Sequence, residues 1–360
     1  CVVKADAYGH GAAVAGPWLE ENGAAAFAVS CLAEARHLRR HGISKPILIL
    51  GYTDPLQVDQ LAFNCITQTV YSEEYAKALS AAAQNAGVEV HCHFKVDTGM
   101  GRIGFSVRSD FEAAIAAMER CAALPKLHVS GIFQHFAVAD STTPENEAHT
   151  QAQQALFERT VQRLQADGIA LHTIHCANSA AQMRYPEWHH SLTRAGIILD
   201  WLDPSEDAHC PELQPALSLH CIVTFVKELQ PGQCVSYGRT FTADHPMRVA
   251  TVCVGYADGY PRALSGGQGQ GVMSIHGRPA PVVGPVCMDQ TLVDVTNIPE
   301  VKMGDEVVVF GPGAGDTADT IAKKTNTINY EIVCGLARRV PRVYKENGTV
   351  CKIWNDLEET

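Results

Sequence analysis

Val2-Val3-Lys4-Ala5-Asp6-Ala7-Tyr8-Gly9-His10-Gly11 opens the chain and decides how the rest is read. Two β-branched residues run into a lysine, and small residues and glycines follow at once. This pattern reads as the end of a buried strand opening into a tight loop. A lysine there has its stem among apolar groups and its amine at a strand end. Burial disfavours the ammonium form and lowers the lysine pKa. A neutral amine can attack an aldehyde and form a Schiff base. A surface lysine at a strand terminus is the plainer reading, and the motif alone does not choose between the two.

Working outward from Lys4, short apolar runs alternate with helical patterns. Strands are expected at 25–30, 46–50, 65–70, 88–96, 126–133 and 171–176, with a last one at 191–198. Helices are expected between them, several ended by glycines such as Gly42, Gly87 and Gly168. Counting the opening run, eight strands precede Asp200. Continuous apolar strands between amphipathic helices mean a parallel sheet buried on both faces, and eight such units suggest a closed (β/α)8 TIM-like barrel. An open doubly wound sheet is the runner-up, but no Gly-rich dinucleotide fingerprint is present. Near Asp203 to Pro215 the composition turns acidic and proline-rich, which sets the domain boundary: a barrel over 1–212 and a mainly β domain over 213–360. In the second part strand-like runs dominate, at 217–226, 249–254, 272–275, 291–295 and 306–310. Helical patterns occur only at 319–325 and 329–334.

A length of 360 residues suits a barrel plus an appendage. The net charge of -11 argues against nucleic acid, whose phosphates need a basic face. No apolar run reaches membrane-span length, and no signal peptide is visible. The 13 cysteines are scattered without a CxxC pair, which suggests reduced thiols in a cytoplasmic protein.

In such a barrel the working residues sit at the C-terminal ends of strands. Lys4 ends the first strand, and Lys95-Val-Asp97-Thr-Gly-Met-Gly-Arg102 closes the fifth. His135 closes the sixth, Asn178-Ser179 the seventh, and Arg194-Ala-Gly196-Ile197 the eighth. Backbone N–H groups at Gly196 and Ile197 can receive a phosphate. Ser179, at a helix start, can join them or serve as the helix N-cap. The Lys95–Arg102 run also admits a structural Lys–Asp–Arg network. Cys287 reads as a buried thiol.

The segment Val3 to Gly11 resembles the pyridoxal-phosphate attachment motif of alanine racemases, and further matches follow in order down nearly the whole chain. Family members have a few dozen residues before this point, so a chain starting at Cys1 reads as trimmed or renumbered. The resemblance implies that Lys4 carries pyridoxal 5'-phosphate. It places Tyr8, Arg102, His135, Asn178, Ser179, Arg194, Gly196 and Ile197 around that cofactor. The arginine matching Arg194 faces the pyridine nitrogen. An always-cationic partner there disfavours protonation of the ring and makes it a weaker electron sink. The histidine matching His135 lies near the ring, in a hydrogen-bond chain through the arginine. Arg102 would contact the substrate carboxylate, and Lys95 occupies a position often carbamylated.

In the second domain, Val235-Ser236-Tyr237-Gly238-Arg239-Thr240-Phe241 carries the family's second base, Tyr237, delivered across a homodimer into the other subunit's site. Gly255 to Arg262 resembles the entry loop with Tyr256, and Pro285 to Gln290 the segment where the Met288 backbone meets substrate. The resemblance thus implies interconversion of L- and D-alanine by two bases, Lys4 for the D-isomer and Tyr237 for the L-isomer, supplying peptidoglycan.

One departure is Arg338, where many members have a tyrosine that reaches the cofactor phosphate before Arg339-Val340-Pro341-Arg342. It places alanine preference in question, with a serine or broader-specificity racemase as the alternative. A decarboxylase of the same architecture ranks lower, because its second-domain motif contains Cys-Asp. A non-catalytic cofactor carrier would lack the second domain. His91–His93 and His172/His175 invite a metal reading, but adjacent strand residues point to opposite faces, so no metal is expected.

Overall fold

The computed structural model describes residues 1–204, 212–267, 269–313 and 315–358. The chain separates into two compact units. One holds Cys1–Ala7 and Ala12–Leu199; the other holds Tyr8–Gly11, Asp200–Leu202 and the residues from Gln214 onward. Of the expected boundary segment 203–215, residues 205–211 lie outside the described residues. The short run Tyr8–Gly11, which local sequence assigns to the first part, groups with the second.

The first unit is the TIM-like barrel. Its strands are β1 (Phe27–Val29), β2 (Ile47–Ile49), β3 (Ile66–Val70), β4 (Val90–Asp97), the short β5 (Phe105–Ser106), β6 (Leu127–Phe133) and β7 (Thr173–His175). They run in parallel in the order β1-β2-β3-β4-β6-β7, with β5 on β4. Two segments without regular ladders complete the ring. Val2 bridges Ala28, with Ala28 N donating to Cys1 O (2.8 Å) and Val3 N to Ala28 O (2.9 Å). On the other side Val2 N donates to Ala195 O (2.7 Å), and Arg194 N to Ala177 O (2.9 Å).

The expected last strand at 191–198 is therefore a stave held by single bonds, and Ile197–Asp200 turns into a 3₁₀ helix. Ser191, Thr193, Arg194, Ala195 and Gly196 offer little apolar surface to a barrel wall, so nothing extends the ladder. Inside the wall, Phe27, Val29, Ile47, Ile49, Phe94, Val96 and Ile132 are fully buried. Surrounding helices begin where the sequence supplies caps: Ser72 accepts from Tyr75 N, Asp110 from Ala113 N, and Thr143 from Asn146 N ahead of Pro144.

The second unit is built on an antiparallel sheet ordered β13-β12-β15-β8-β11-β14. These are β8 (Leu219–Leu229), β11 (Met247–Val252), β12 (Val272–Ile275), β13 (Arg278–Pro281), β14 (Thr291–Asp294) and β15 (Glu306–Phe310). Strands β9 (Cys234–Val235) and β10 (Phe241–Thr242) flank the Tyr237 turn. Proline hides β13 from sequence reading: Pro279 and Pro281 donate no ladder bond, and the strand is tolerated because it lies at the edge. A terminal hairpin, β16 (Arg342–Glu346) and β17 (Thr349–Trp354), is largely exposed and carries no clear apolar alternation. Among the described residues, no helix is long and apolar enough to cross a membrane.

Candidate active site

Lys4 does end the first stave, but the loop it opens has a hand that sequence does not announce. Ala5, Asp6 and Ala7 have φ near +50° and ψ near +50°, a turn of left-handed helix, and Tyr8 keeps φ at +51°. For L-residues other than glycine this costs roughly 1–2 kcal/mol each. The surroundings hold it: Asp6 Oδ1 accepts from Ala12 N (2.7 Å), and Ala7 N donates to Val3 O (3.0 Å). Glu34 takes Ala5 N on one oxygen and Ser30 N on the other, both at 2.7 Å. Lys4 is half-buried, and strain of this kind is typical of a side chain aimed for function.

Around the barrel mouth the other strand-end residues form one electrostatic cluster. The Arg194 guanidinium is buried and tied by Nη1 to His175 O (3.0 Å), and by Nη2 to Gln134 O (2.7 Å) and Cys176 O (2.9 Å). Its Nη2 also reaches His135 Nδ1 at 3.4 Å. Burial lowers the Arg194 pKa to about 10, which leaves it cationic at neutral pH. Burial and then the charges of Arg194, Lys95, Arg102 and Lys4 hold His135 well below its ordinary pKa. The imidazole is neutral.

Lys95 is 3% exposed and brought to a pKa of about 7 by burial first, then by Arg194 and Arg102, with Asp97 opposing. Its Nζ lies 5.1 Å from the centre of the Phe133 ring and donates to Val96 O at 3.3 Å. Asp97 accepts from Gly99 N and Gly101 N (2.9 and 3.0 Å), which shapes the turn leading to the exposed Arg102.

The two loops expected to take an anion are joined. Asn178 is the helix N-cap, accepting from Ala181 N at 3.0 Å, so the capping role falls to Asn178 and not Ser179. Ser179, buried, accepts instead from Gly196 N at 2.9 Å. Ile197 beside it is fully buried.

The remaining candidates gather in the second unit. Ser236 (φ +63°) and Gly238 (φ +68°) bracket Tyr237, whose side chain is 73% exposed in the single chain. Ser236 Oγ donates to Pro285 O at 2.9 Å and touches Cys287 Sγ at 3.4 Å. Tyr256 N donates to Cys287 O (3.0 Å) and Ala257 N to Met288 O (2.9 Å). A Cβ on Gly255 would stand 2.3 Å from both those carbonyl oxygens, so only glycine fits. Tyr237, Tyr256 and Met288 thus lie on three mutually braced loops, all with exposed side chains. In the same unit, Tyr8 is buried edge-on to Tyr330, Arg342 Nε donates to Gly9 O, and Tyr344 Oη to His10 O.

The family model of the alanine racemase N-terminal domain matches residues 1–204, and that of the C-terminal domain matches residues 216–344. The chain belongs to the alanine racemase family. Alanine racemase 1 of Clostridium acetobutylicum is 44% identical over 358 residues, 98% of this chain and 90% of that protein. Among solved structures, the alanine racemase of Clostridium difficile 630 superposes with a TM-score of 0.91 at 38% identity, covering 98% of this chain and 90% of the other. The alanine racemase of Bacillus anthracis, with bound L-Ala-P, gives 0.90 at 34% identity over 100% and 91%.

Around this barrel mouth, two residues are not found by reading strand ends. His175 and His93 show in the sequence only as members of HxxH and HCH patterns. The structure sets His175 against Arg194 and His93 against His175, through the parallel neighbours β4, β6 and β7. No group of three or more metal-ligating side chains occurs among the described residues.

Proposed function

We propose that Lys4 and Tyr237 are the two bases with which this alanine racemase interconverts L- and D-alanine. The observation that carries the reading is Lys4 at the head of a strained left-handed turn, among neutral His135, buried Arg194 and the Ser179–Gly196 anion loops. These residues fit pyridoxal 5'-phosphate: an amine for its aldehyde, a cation for its ring nitrogen, and a hydroxyl with backbone N–H groups for its phosphate. When bound, that group supplies acidity at the substrate Cα by withdrawing electrons from it. Lys4 Nζ takes or returns the Cα proton on one face and Tyr237 Oη acts on the other. Protons leaving one face and arriving on the opposite one invert the centre; one base alone would return the same isomer.

Arg102, together with the Met288 backbone and Tyr256, orients the substrate. Asn178 and Ile197 brace the phosphate end, and Tyr8 completes the cofactor contacts. Lys95, with a pKa brought to about 7, is poised to react as a free amine with carbon dioxide and become a carbamate facing Arg102. Tyr237 is exposed on its own chain, which suits delivery into a second copy, so the active form is a homodimer. The division of labour follows the boundary at 212/213. We assign the enzyme to the cytoplasm and to D-alanine supply for peptidoglycan; the free thiols among its described cysteines accord with a reducing compartment.

The test is chiral chromatography of L-alanine and L-serine after incubation with the protein and pyridoxal phosphate. D-alanine should form faster than D-serine, and Lys4→Ala should lower the rate by at least about 10³-fold. Faster D-serine formation moves the chain to the serine alternative, and no D-isomer from a cofactor-loaded protein rejects racemisation.

A further inference from the structure

Besides His135 on Nη2, Arg194 reaches a pair of imidazoles through Nη1. Arg194 Nη1 sits 3.1 Å from His175 Nδ1, and His175 Nε2 sits 3.1 Å from His93 Nδ1. The barrel wall is modified to admit the outer ring. A bulge interrupts the β4–β6 ladder between Cys92 and His93, and the residue opposite His93 is Gly131. A Cβ on Gly131 would stand 2.6–2.7 Å from three atoms of the His93 ring. A parallel ladder that is broken and thinned at one point marks a side chain whose position matters. His175 in turn stacks on Phe133, with ring centres 4.8 Å apart and planes 12° from parallel.

The proton positions along this line follow from the donor inventory. A guanidinium has no acceptor, so Arg194 donates and His175 Nδ1 must be bare. A neutral imidazole then carries its one proton on Nε2, and that N–H points at His93 Nδ1, which must accept. The direction is forced: Arg194 to His175 to His93. Protonating His175 would set an N–H against the guanidinium N–H. Burial, then Arg194, keeps His175 far below its ordinary pKa, and burial brings His93 to about 4, in agreement with two neutral rings.

We infer that His93 is a positioning residue of the active site: as the acceptor at the end of the Arg194–His175–His93 line, it holds the orientation of the His175 ring, whose tautomer Arg194 sets, and so the aim of the Arg194 guanidinium. The consequence for catalysis rests on the proposed placement of Arg194 against the cofactor nitrogen; the tautomer assignment does not. Without His93 the His175 N–H is a buried donor lacking an acceptor, and the ring turns to find another. The arginine then loses its fixed partner.

The first measurement is nitrogen-15 NMR of histidine-labelled holoenzyme. His175 should show a protonated Nε2 and bare Nδ1, and His93 a bare Nδ1, unchanged from pH 8 to pH 6. A protonated His93 Nδ1 overturns the inference by itself, whether or not any variant folds and whatever Arg194 faces. Next come His93→Leu, which removes the acceptor, and His93→Asn, whose Oδ1 takes the place of Nδ1. His93→Leu should lower kcat roughly tenfold with little change in KM, and move the His175 Nε2–H signal to that of a donor without its acceptor. His93→Asn should return to within about threefold of the parent. Gly131→Ala, which displaces the His93 ring, should resemble His93→Leu. Equal losses in His93→Leu and His93→Asn would show that ring packing, not the acceptor, matters and would overturn the inference. A locked tautomer with unchanged kcat in His93→Leu would instead reject the placement of Arg194.

Discussion

The two clusters of candidate residues are built in opposite ways. In the barrel, Arg194, Lys95, Ser179 and His175 are buried and hydrogen-bonded, and desolvation is the largest influence on the proton states of Arg194, Lys95 and His175. In the second unit, Tyr237, Tyr256 and Met288 are 73%, 43% and 53% exposed, and only their backbones are braced. The first arrangement holds charge in a low-dielectric place, where small shifts in position change proton affinity strongly. The second presents side chains outward from a rigid frame, as a surface does when its counterpart is another molecule. Under the proposed mechanism, a preorganised half and a presented half complete one site when two copies meet.

The largest effect that sharpens this contrast is at Tyr237. Tyr237→Phe should lower racemisation roughly 10²- to 10⁴-fold while cofactor absorbance persists. Mixing separately inactive Lys4→Ala and Tyr237→Phe chains, then allowing subunit exchange, should restore about a quarter of wild-type activity, because half the dimers carry one intact shared site. No recovery despite demonstrated exchange would place both bases in one chain and break the comparison.

A smaller effect is expected at Lys95. Its pKa is lowered from 10.5 to about 7 in the folded chain. Between those values the unfolded chain holds the extra proton, so the lysine's contribution to stability rises with pH across that window and is least at pH 7 and below. In carbon dioxide-free buffer, Lys95→Met should therefore be more stable than the parent at pH 7 by roughly 2–4 kcal/mol, with the gap closing toward pH 10.5. Denaturant titrations at several pH values read this directly. Added bicarbonate should narrow the gap at pH 8 if the amine becomes a carbamate.

The smallest effect is at Arg338. Its Nε donates to Asp356 at 2.9 Å and its side chain is 74% exposed. Asp356 is itself 9% exposed and also accepts from Trp354 Nε1 at 2.5 Å, so it keeps a partner without the arginine, whose exposed guanidinium contributes about 1 kcal/mol or less. Arg338→Tyr should change the alanine-to-serine ratio of kcat/KM by less than about threefold. A tenfold change would place this residue against the substrate.

Much of the barrel is legible in the chain because period and punctuation agree: apolar runs such as Ile47–Ile49, caps such as Asp110, and stops such as Gly87. The place of the eighth stave at 191–198 is legible too, but not its lack of a regular ladder, because it is held by single bonds to neighbours far away in sequence. The left-handed turn after Lys4 is invisible for a different reason. Ala5, Asp6 and Ala7 prefer the opposite hand, and bonds to residues such as Glu34, Ala12 and Val3 overrule them. His93 and His175 read as strand residues on alternating faces, which is correct locally. Their meeting depends on the bulge at Cys92/His93 and on Gly131 opposite.

By itself the sequence determined the residue types, their order and their places at strand ends, because side-chain periodicity and turn chemistry are local. The tertiary structure decided which proton sits on which nitrogen, which lysine loses its charge, and which tyrosine stays exposed. Those properties come from burial and from neighbours brought together across the barrel wall, and no local pattern encodes them.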